Sequence, residues 1–363
     1  MRKLMAFIIL LSAVLLAYPV SASGATVVNL PHKVLTIDGT SIVAAGGGIV
    51  VLNGTLLNTR TQHTHNLSIG ADEPILDVKT LSYPDKIIVL TRSKERKILK
   101  YSFSTDGKLL QKSFINIPLG EQGRAQWTPS TANTPEQVWV QRDKLFSVYK
   151  APWLKAEASF DSTYKDTAYE YSNVIDWRAS SSPYLVLEYD GAVIMGSQRY
   201  LTLVNMKDNS QHTLGIDQNP YLNLQITGSK LAVTTNWWYQ DPFPANVEHP
   251  KSDKEQPLLS LIDLQTAAST VMLKGTFEEK FDTASGWESE LFGSQMYIKN
   301  LLNHTWSLYD LTGRSVLSNQ SAPAVAANST AHFIGYDAAV QKAYFATFSS
   351  SQAQVSITSV PVK

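Results

Sequence analysis

The stretch Tyr101-Ser102-Phe103-Ser104-Thr105-Asp106-Gly107-Lys108-Leu109 reads as the end of one β-strand, a tight polar turn and the start of the next. Its aromatic residues alternate with serines, as on a half-buried strand, and Asp-Gly supplies the turn chemistry of a hairpin. Tyr309-Asp310-Leu311-Thr312-Gly313-Arg314 repeats the same logic. Between and around these two, apolar runs end in polar turns, as expected for the outer hairpin of a propeller blade, at Asn53-Gly54, near Ala151-Pro152, at Asp208-Asn209, at Gln265-Thr266 and at Ser350-Ser351. The seven turns recur roughly every 40 to 57 residues, close to the period of a four-stranded propeller blade.

The rest of the chain agrees with that period. Short runs rich in β-branched, aromatic and leucine residues are expected to form strands at 41–45, 49–52, 86–91, 98–103, 137–141, 184–188, 192–196, 200–205, 230–235, 258–263, 295–299, 306–310, 343–348 and 354–360. The best helical candidate, Pro152–Ser159, is short. The expectation is therefore an all-β fold: one β-propeller of about seven four-stranded blades occupying residues 23–363. A blade cannot bury both faces alone, but blades stacked radially bury one another. Thr26–Leu30 is expected to close the ring by pairing with Gln354–Val360. Two β-sandwich domains, a β-helix or a mixed fold are the alternatives, because all-β chains in general carry regular turns.

The two quoted hairpins share an aromatic residue, then Asp or Ser, and a Thr or Asp before Gly. In this they resemble the hairpins of bacterial secreted propellers of the quinoprotein-like and YVTN-like (WD40-like) kind. The sequence departs from those families where their signatures are sharpest. Repeated Trp-Asp dipeptides, Gly-His starts and the tryptophan-docking signature are missing, and Asp176-Trp177 occurs once. The resemblance implies architecture and brings no cofactor or catalytic residue with it.

Composition narrows the function classes. The 363 residues hold 31 Lys plus Arg against 31 Asp plus Glu, which gives no electrostatic case for nucleic acid as a partner. The absence of cysteine excludes disulfides, thiolate metal sites and Cys nucleophiles. At the N-terminus Arg2 and Lys3 precede an apolar run from Leu4 to Tyr18, followed by Val20-Ser21-Ala22. This is the pattern of a signal peptide over residues 1–22, and it stops short of the roughly 20 apolar residues of a spanning helix. The expected product is secreted or extracytoplasmic, without membrane insertion once the leader is removed. Without Arg2 and Lys3, 29 basic residues face 31 acidic ones.

Catalytic motifs are scarce. Gly46-Gly47-Gly48 leads into the strand-like Ile49–Leu52 and lacks the helix that a phosphate loop requires. Ser147-Val148-Tyr149-Lys150 matches a Ser-x-x-Lys nucleophile by letter but lies within a strand pattern. His63 and His65 share one strand face without an evident third ligand, so no metal and no cofactor are expected.

Two aromatic segments carry the best site expectation. Trp237, Trp238, Tyr239, Asp241 and Phe243 open a long connection between strands, and Tyr169, Tyr171 and Trp177 enlarge another. Aromatic faces beside short polar side chains suit glycan or protein contact, and equally suit padding between blades. The leading reading is a non-catalytic binding module for a protein or glycan ligand. The alternatives are a glycan-acting hydrolase or lyase, drawing acids from Asp166, Glu170, Asp176, Asp241 or Glu288, and a structural envelope or surface protein.

Overall fold

In the computed structural model, residues 33–362 are described apart from 38–39, 47–48, 53, 59–63, 83–84, 131–133, 164–172, 180–182, 194–195, 217–221, 236, 240–255, 276–284, 293–294, 302, 325–328, 339–340 and 350–353. The described chain forms 29 β-strands in seven antiparallel sheets, and none of its residues is helical. Sheet 1 holds β1 (Lys33–Ile37), β2 (Thr40–Gly46), β3 (Ile49–Leu52), β4 (Thr55–Asn58) and β5 (Thr64–Asn66). Sheet 2 holds β6 (Ile75–Ser82), β7 (Asp85–Arg92), β8 (Lys97–Phe103) and β9 (Leu109–Pro118). Sheet 3 runs through β10 (Arg124–Thr128), β11 (Gln137–Arg142), β12 (Leu145–Lys150) and β13 (Ala156–Asp161). Sheet 4 comprises β14 (Asn173–Ala179), β15 (Tyr184–Val193), β16 (Gly196–Asn205) and β17 (Ser210–Ile216).

Sheet 5 is built from β18 (Leu222–Thr227), β19 (Lys230–Thr235), β21 (Gln256–Asp263) and β22 (Ser269–Gly275). Between β19 and β21 the chain leaves this sheet to form β20 (Trp237–Tyr239), which joins sheet 6. There it precedes β23 (Ser285–Phe292), β24 (Gln295–Asn300), β25 (Thr305–Asp310) and β26 (Ser315–Ser321). Sheet 7 holds β27 (Ser329–Asp337), β28 (Lys342–Ser349) and β29 (Gln354–Pro361). The fold is the expected β-propeller of seven sheets. Four sheets have four strands, two have five and the last has three among the described residues. The expected closing strand Thr26–Leu30 lies outside the described residues.

The second and third strands explain why the sequence carries continuous apolar runs. On β7, Ile87 and Val89 pack toward sheet 1, while Ile88 and Leu90 pack toward sheet 3. On β11, Val138 and Val140 face sheet 2 and Trp139 faces sheet 4. Leu185 and Leu187 of β15 face sheet 3, and Val186 faces sheet 5. A strand with both faces covered by neighbouring sheets has no solvent side and needs no polar alternation. Each such junction is a separate core, six of them being described in series from sheet 1 to sheet 7. The junction of sheets 6 and 7 is aromatic: Tyr297 stacks on Phe333 at 4.5 Å between centroids, and Trp306 meets Phe345 edge-on at 5.9 Å. Full burial of side chains of this size contributes about 1.5–3 kcal/mol each.

The turns follow from side-chain chemistry. Asp310 Oδ1 accepts from the backbone N–H of Thr312 at 2.9 Å, from that of Arg314 at 3.0 Å and from the Thr312 hydroxyl. Asp263 Oδ1 accepts from Gln265 and Thr266 in the same manner, and Asp208 Oδ1 from Ser210. Each carboxylate thereby offers the backbone a ready-made turn at the outer hairpin of its sheet.

Three sequence expectations need correction. Pro152–Ser159 is not helical: a turn leads into β13, whose Ala158 packs against the sheet 3 and 4 core. The segment 192–196 is no separate strand, because β15 runs on to Val193 and pairs with Gly196 at the start of β16. The Gly54 turn joins β3 to β4 with β5 still to follow, so in sheet 1 it is an internal hairpin and not the outer one.

Candidate functional site

The first strands of successive sheets are tied to one another by polar side chains. Asp77 of β6 accepts the backbone N–H of Trp127 on β10 at 2.7 Å, and Lys79 donates to the Trp127 carbonyl. Gln126 of β10 spans to β14: its Nε2 donates to the Trp177 carbonyl at 3.2 Å and its Oε1 accepts from the Ala179 N–H at 3.3 Å. Arg178 of β14 donates to the Leu224 carbonyl of β18 at 3.0 Å. Asn223 of β18 donates to the Ser289 carbonyl of β23 at 2.6 Å. One or two polar residues per strand thus satisfy backbone groups of the next strand. These strands lie toward the end of each sheet opposite its outer hairpin, so in a radial stack this belt marks the inner wall.

Ion pairs also lie on this wall. Arg178 pairs with Asp176 at 2.7 Å, and Arg124 of β10 approaches the same carboxylate at 3.6 Å. Arg124 stays half-exposed, so its guanidinium retains donors for a carboxylate or a hydroxyl-rich ligand. On β23, Glu288 pairs with Lys299 at 3.2 Å and Ser289, fully buried, is bonded by Thr234 of β19. Tyr297, deep in the sheet 6 and 7 junction, is pushed far above the usual phenol range, first by burial and then by Glu290 and Glu288.

The aromatic segment is attached to the same wall. β20 pairs antiparallel with β23 in the register Trp237 to Trp287, Trp238 to Gly286 and Tyr239 to Ser285. Because β23 is the first strand of its four-stranded unit, β20 sits on its axis side as an added inner strand. The long connection expected from the sequence therefore begins as sheet. Trp287, opposite Trp237, is half-buried and packs on the sheet 5 and 6 core. A Cβ at Gly275 would lie 2.6 Å from Leu258 Cδ1 and 3.2 Å from the Trp287 ring, so that glycine leaves room for both side chains.

The expected site residues divide accordingly. Trp237, Trp238 and Tyr239 share the inner strand β20. Asp241, Phe243, Tyr169 and Tyr171 lie outside the described residues, as do the candidate acids Asp166 and Glu170. Trp177 is 1% exposed in the sheet 3 and 4 core, where Phe146 meets it edge-on at 5.6 Å. Its ring pads a blade junction and does not face solvent. Ser147 of the Ser-x-x-Lys match bonds Ser159, and Lys150 pairs with Glu157, so the two are engaged across β12 and β13. Among the described residues no cluster of three His, Asp or Glu is arranged to hold a metal ion. The belt residues Asp77, Lys79, Gln126, Arg178 and Asn223 escape a sequence reading, because isolated polar residues on short strands carry no motif.

No family model matches the chain. No curated protein matches it either. Solved structures do. The chain is similar to Chaetomium thermophilum Raptor, with a TM-score of 0.51 and 9% identity over 94% of this chain, which spans 28% of that protein. The Myceliophteria thermophila Cps50 (Swd1) β-propeller domain aligns at 11% identity, over 94% of this chain and 98% of that one, with a TM-score of 0.46. The β-propeller domain of the Trilobed protease from Pyrococcus furiosus aligns at 9% identity, over 93% and 94%, with a TM-score of 0.43. At these identities the likeness concerns fold alone.

Proposed function

We propose that this chain is an exported, non-catalytic interaction module. Residues 1–22 act as a cleaved signal peptide, and residues 23–363 form one propeller that recognises a protein or glycan ligand through aromatic residues on the axis side of the ring. The observation that carries the reading is the pairing of β20 with β23, which anchors Trp237, Trp238 and Tyr239 by backbone hydrogen bonds to a rigid inner strand. A site built on a strand holds its aromatic groups with less conformational freedom than a free loop, and less ordering entropy is then lost on binding. The half-exposed Arg124 and the Asp176–Arg178 pair add directional polar contacts on the same wall. Aspartate 241 and Phe243 continue the aromatic segment in sequence, and Tyr169 and Tyr171 lie just before β14.

The test is a glycan and peptide array probed with the mature chain and with Trp237→Ala and Trp238→Ala. Binding of one ligand class that both substitutions weaken supports the reading. Binding indifferent to both removes the site.

A further inference from the structure

Arg124 on the inner wall stands outside the belt. Lys79, Gln126, Arg178 and Asn223 each donate to a backbone carbonyl of the next sheet. The Arg124 guanidinium instead lies 3.6 Å from Asp176 Oδ1, beyond hydrogen-bond distance. That Oδ1 already accepts the Trp177 backbone N–H at 2.8 Å, and Oδ2 faces Arg178 Nη1 at 2.7 Å. Among the described residues the Arg124 side chain has no other polar partner.

Topology puts Arg124 and the aromatic strand at the same mouth of the ring. Sheets 2 to 5 each have four antiparallel strands, so the chain leaves each sheet at the end where it entered. The first strands β6, β10, β14, β18 and β23 therefore run parallel around the axis, and their N-terminal ends share one face. Arg124 is the first residue of β10, and β20 pairs with Ser285, Gly286 and Trp287 at the start of β23. Sheets 3 and 6 of a seven-sheet ring lie on opposite sides of the axis, so a ligand that meets both spans the mouth.

The ion pairs leave the same residue over. Asp77 is matched by Lys79 and Glu288 by Lys299, whereas Asp176 is shared by Arg178 and Arg124. Two guanidinium groups on one carboxylate leave a net positive charge. The Arg124 side chain is 52% exposed against 34% for Arg178, so the cation left over is the one open to solvent.

We propose that Arg124 binds a carboxylate of the ligand, and that this ligand is a uronic acid glycan lying across the mouth from β10 to β20. The proposal rests on the axis-side site argued above and names the chemistry that site selects. A guanidinium with its N–H groups uncommitted matches a carboxylate by two parallel hydrogen bonds. Trp237, Trp238 and Tyr239 offer aromatic faces to the C–H surfaces of pyranose rings. An acidic peptide fits less well, because strand addition would find only the three residues of β20 as a template.

The experiment titrates three fluorescent probes against the full mature chain by anisotropy: a galacturonic acid hexamer, the same hexamer with its carboxyl groups reduced to alcohols, and a glutamate hexapeptide. The expected result is saturable binding of the uronate probe, with the reduced probe at least about tenfold weaker, the scale of one lost charge-assisted hydrogen bond. Arg124→Gln should bring the uronate probe down to the level of the reduced one, and Arg124→Lys should restore part of the difference. Melting temperatures confirm that both variants are folded. Trp237→Ala should weaken the uronate and the reduced probe alike. Uronate binding that Trp237→Ala abolishes but Arg124→Gln leaves intact would overturn the role of Arg124 while the axis-side site stands. Uronate binding indifferent to Trp237→Ala would remove that site and this proposal together. Lack of uronate binding, equal binding of the uronate and reduced probes, or tighter binding of the peptide would also overturn the proposal.

Discussion

The carboxylate of Asp77 on β6 accepts the backbone N–H of Trp127 on β10 at 2.7 Å, joining two sheets that share no strand hydrogen bonds. The Asp77 side chain is 1% exposed, and Lys79 lies 3.7 Å away as its countercharge. Replacing it leaves a buried N–H without its acceptor. Asp77→Ala is expected to lower stability by about 2–3 kcal/mol, the scale of a buried hydrogen bond to a charged group. A urea midpoint shift at constant slope checks this, and a change below about 0.5 kcal/mol, the range of ordinary surface substitutions, would mean that the belt is dispensable.

Trp177 separates packing from recognition. Trp177→Ala should cost about 3–5 kcal/mol, the scale of large aromatic truncations in cores. Trp177→Phe should be far milder, because the indole N–H has no hydrogen-bond partner among the described residues. Neither substitution should alter ligand selectivity in the fraction that remains folded, measured by array binding after thermal selection.

Gly313 tests the contact between outer hairpins. It sits at φ +82° with the position of a would-be Cβ 2.2 Å from the Met272 carbonyl oxygen of the neighbouring sheet. Gly54 has the same φ of +82° with open space around it. Gly313→Ala and Gly54→Ala share the backbone strain of a left-handed alanine, so their difference reports the inter-sheet clash alone. Gly313→Ala is expected to be the more destabilising by more than about 1 kcal/mol in chemical denaturation. Equal effects would place the two hairpins further apart than described.

Acid should act first on the turns. Asp263 is held far below the usual carboxylate range by Lys230 and then by the Thr266 backbone and hydroxyl. Asp310 is lowered chiefly by the Thr312 hydroxyl, Asp106 by Ser104 and Asp208 by the Ser210 backbone. A depressed folded-state pKa gives stability that is present above the unfolded value of about 3.9 and is lost as pH falls through the folded value. Melting temperature should therefore decline below about pH 4. Asp263→Asn, which can keep the turn acceptor but loses the charge, should flatten that decline; an unchanged slope would show that these turns do not govern acid sensitivity.

The sequence disclosed the parts of the fold whose physics is local. Asp263, Asp310 and Gly313 mark turns because their own side chains or backbone freedom make the turn, and continuous runs such as Ile87–Leu90 mark strands buried on both faces. Outer strands such as β17 and β26 were opaque. Ser210–Ile216 and Ser315–Ser321 are mostly polar, and pairing with β16 and β25 makes them strands where hydrophobic pattern does not. The site was legible only as composition. Aromatic clustering marks Trp237 and Trp177 alike, but a strand on the axis side and a plug in a blade junction differ by long-range pairing. The belt through Asp77, Gln126, Arg178 and Asn223 depends wholly on neighbours 46 to 66 residues away in sequence.

The most direct measurement places two proteins side by side on one glycan and peptide array: the mature chain and Trp237→Ala with Trp238→Ala. Both are first compared by melting temperature. An interaction module with its principal site on β20 predicts ligands bound by the first protein and lost from the second. Identical binding profiles for the first and second proteins would contradict it.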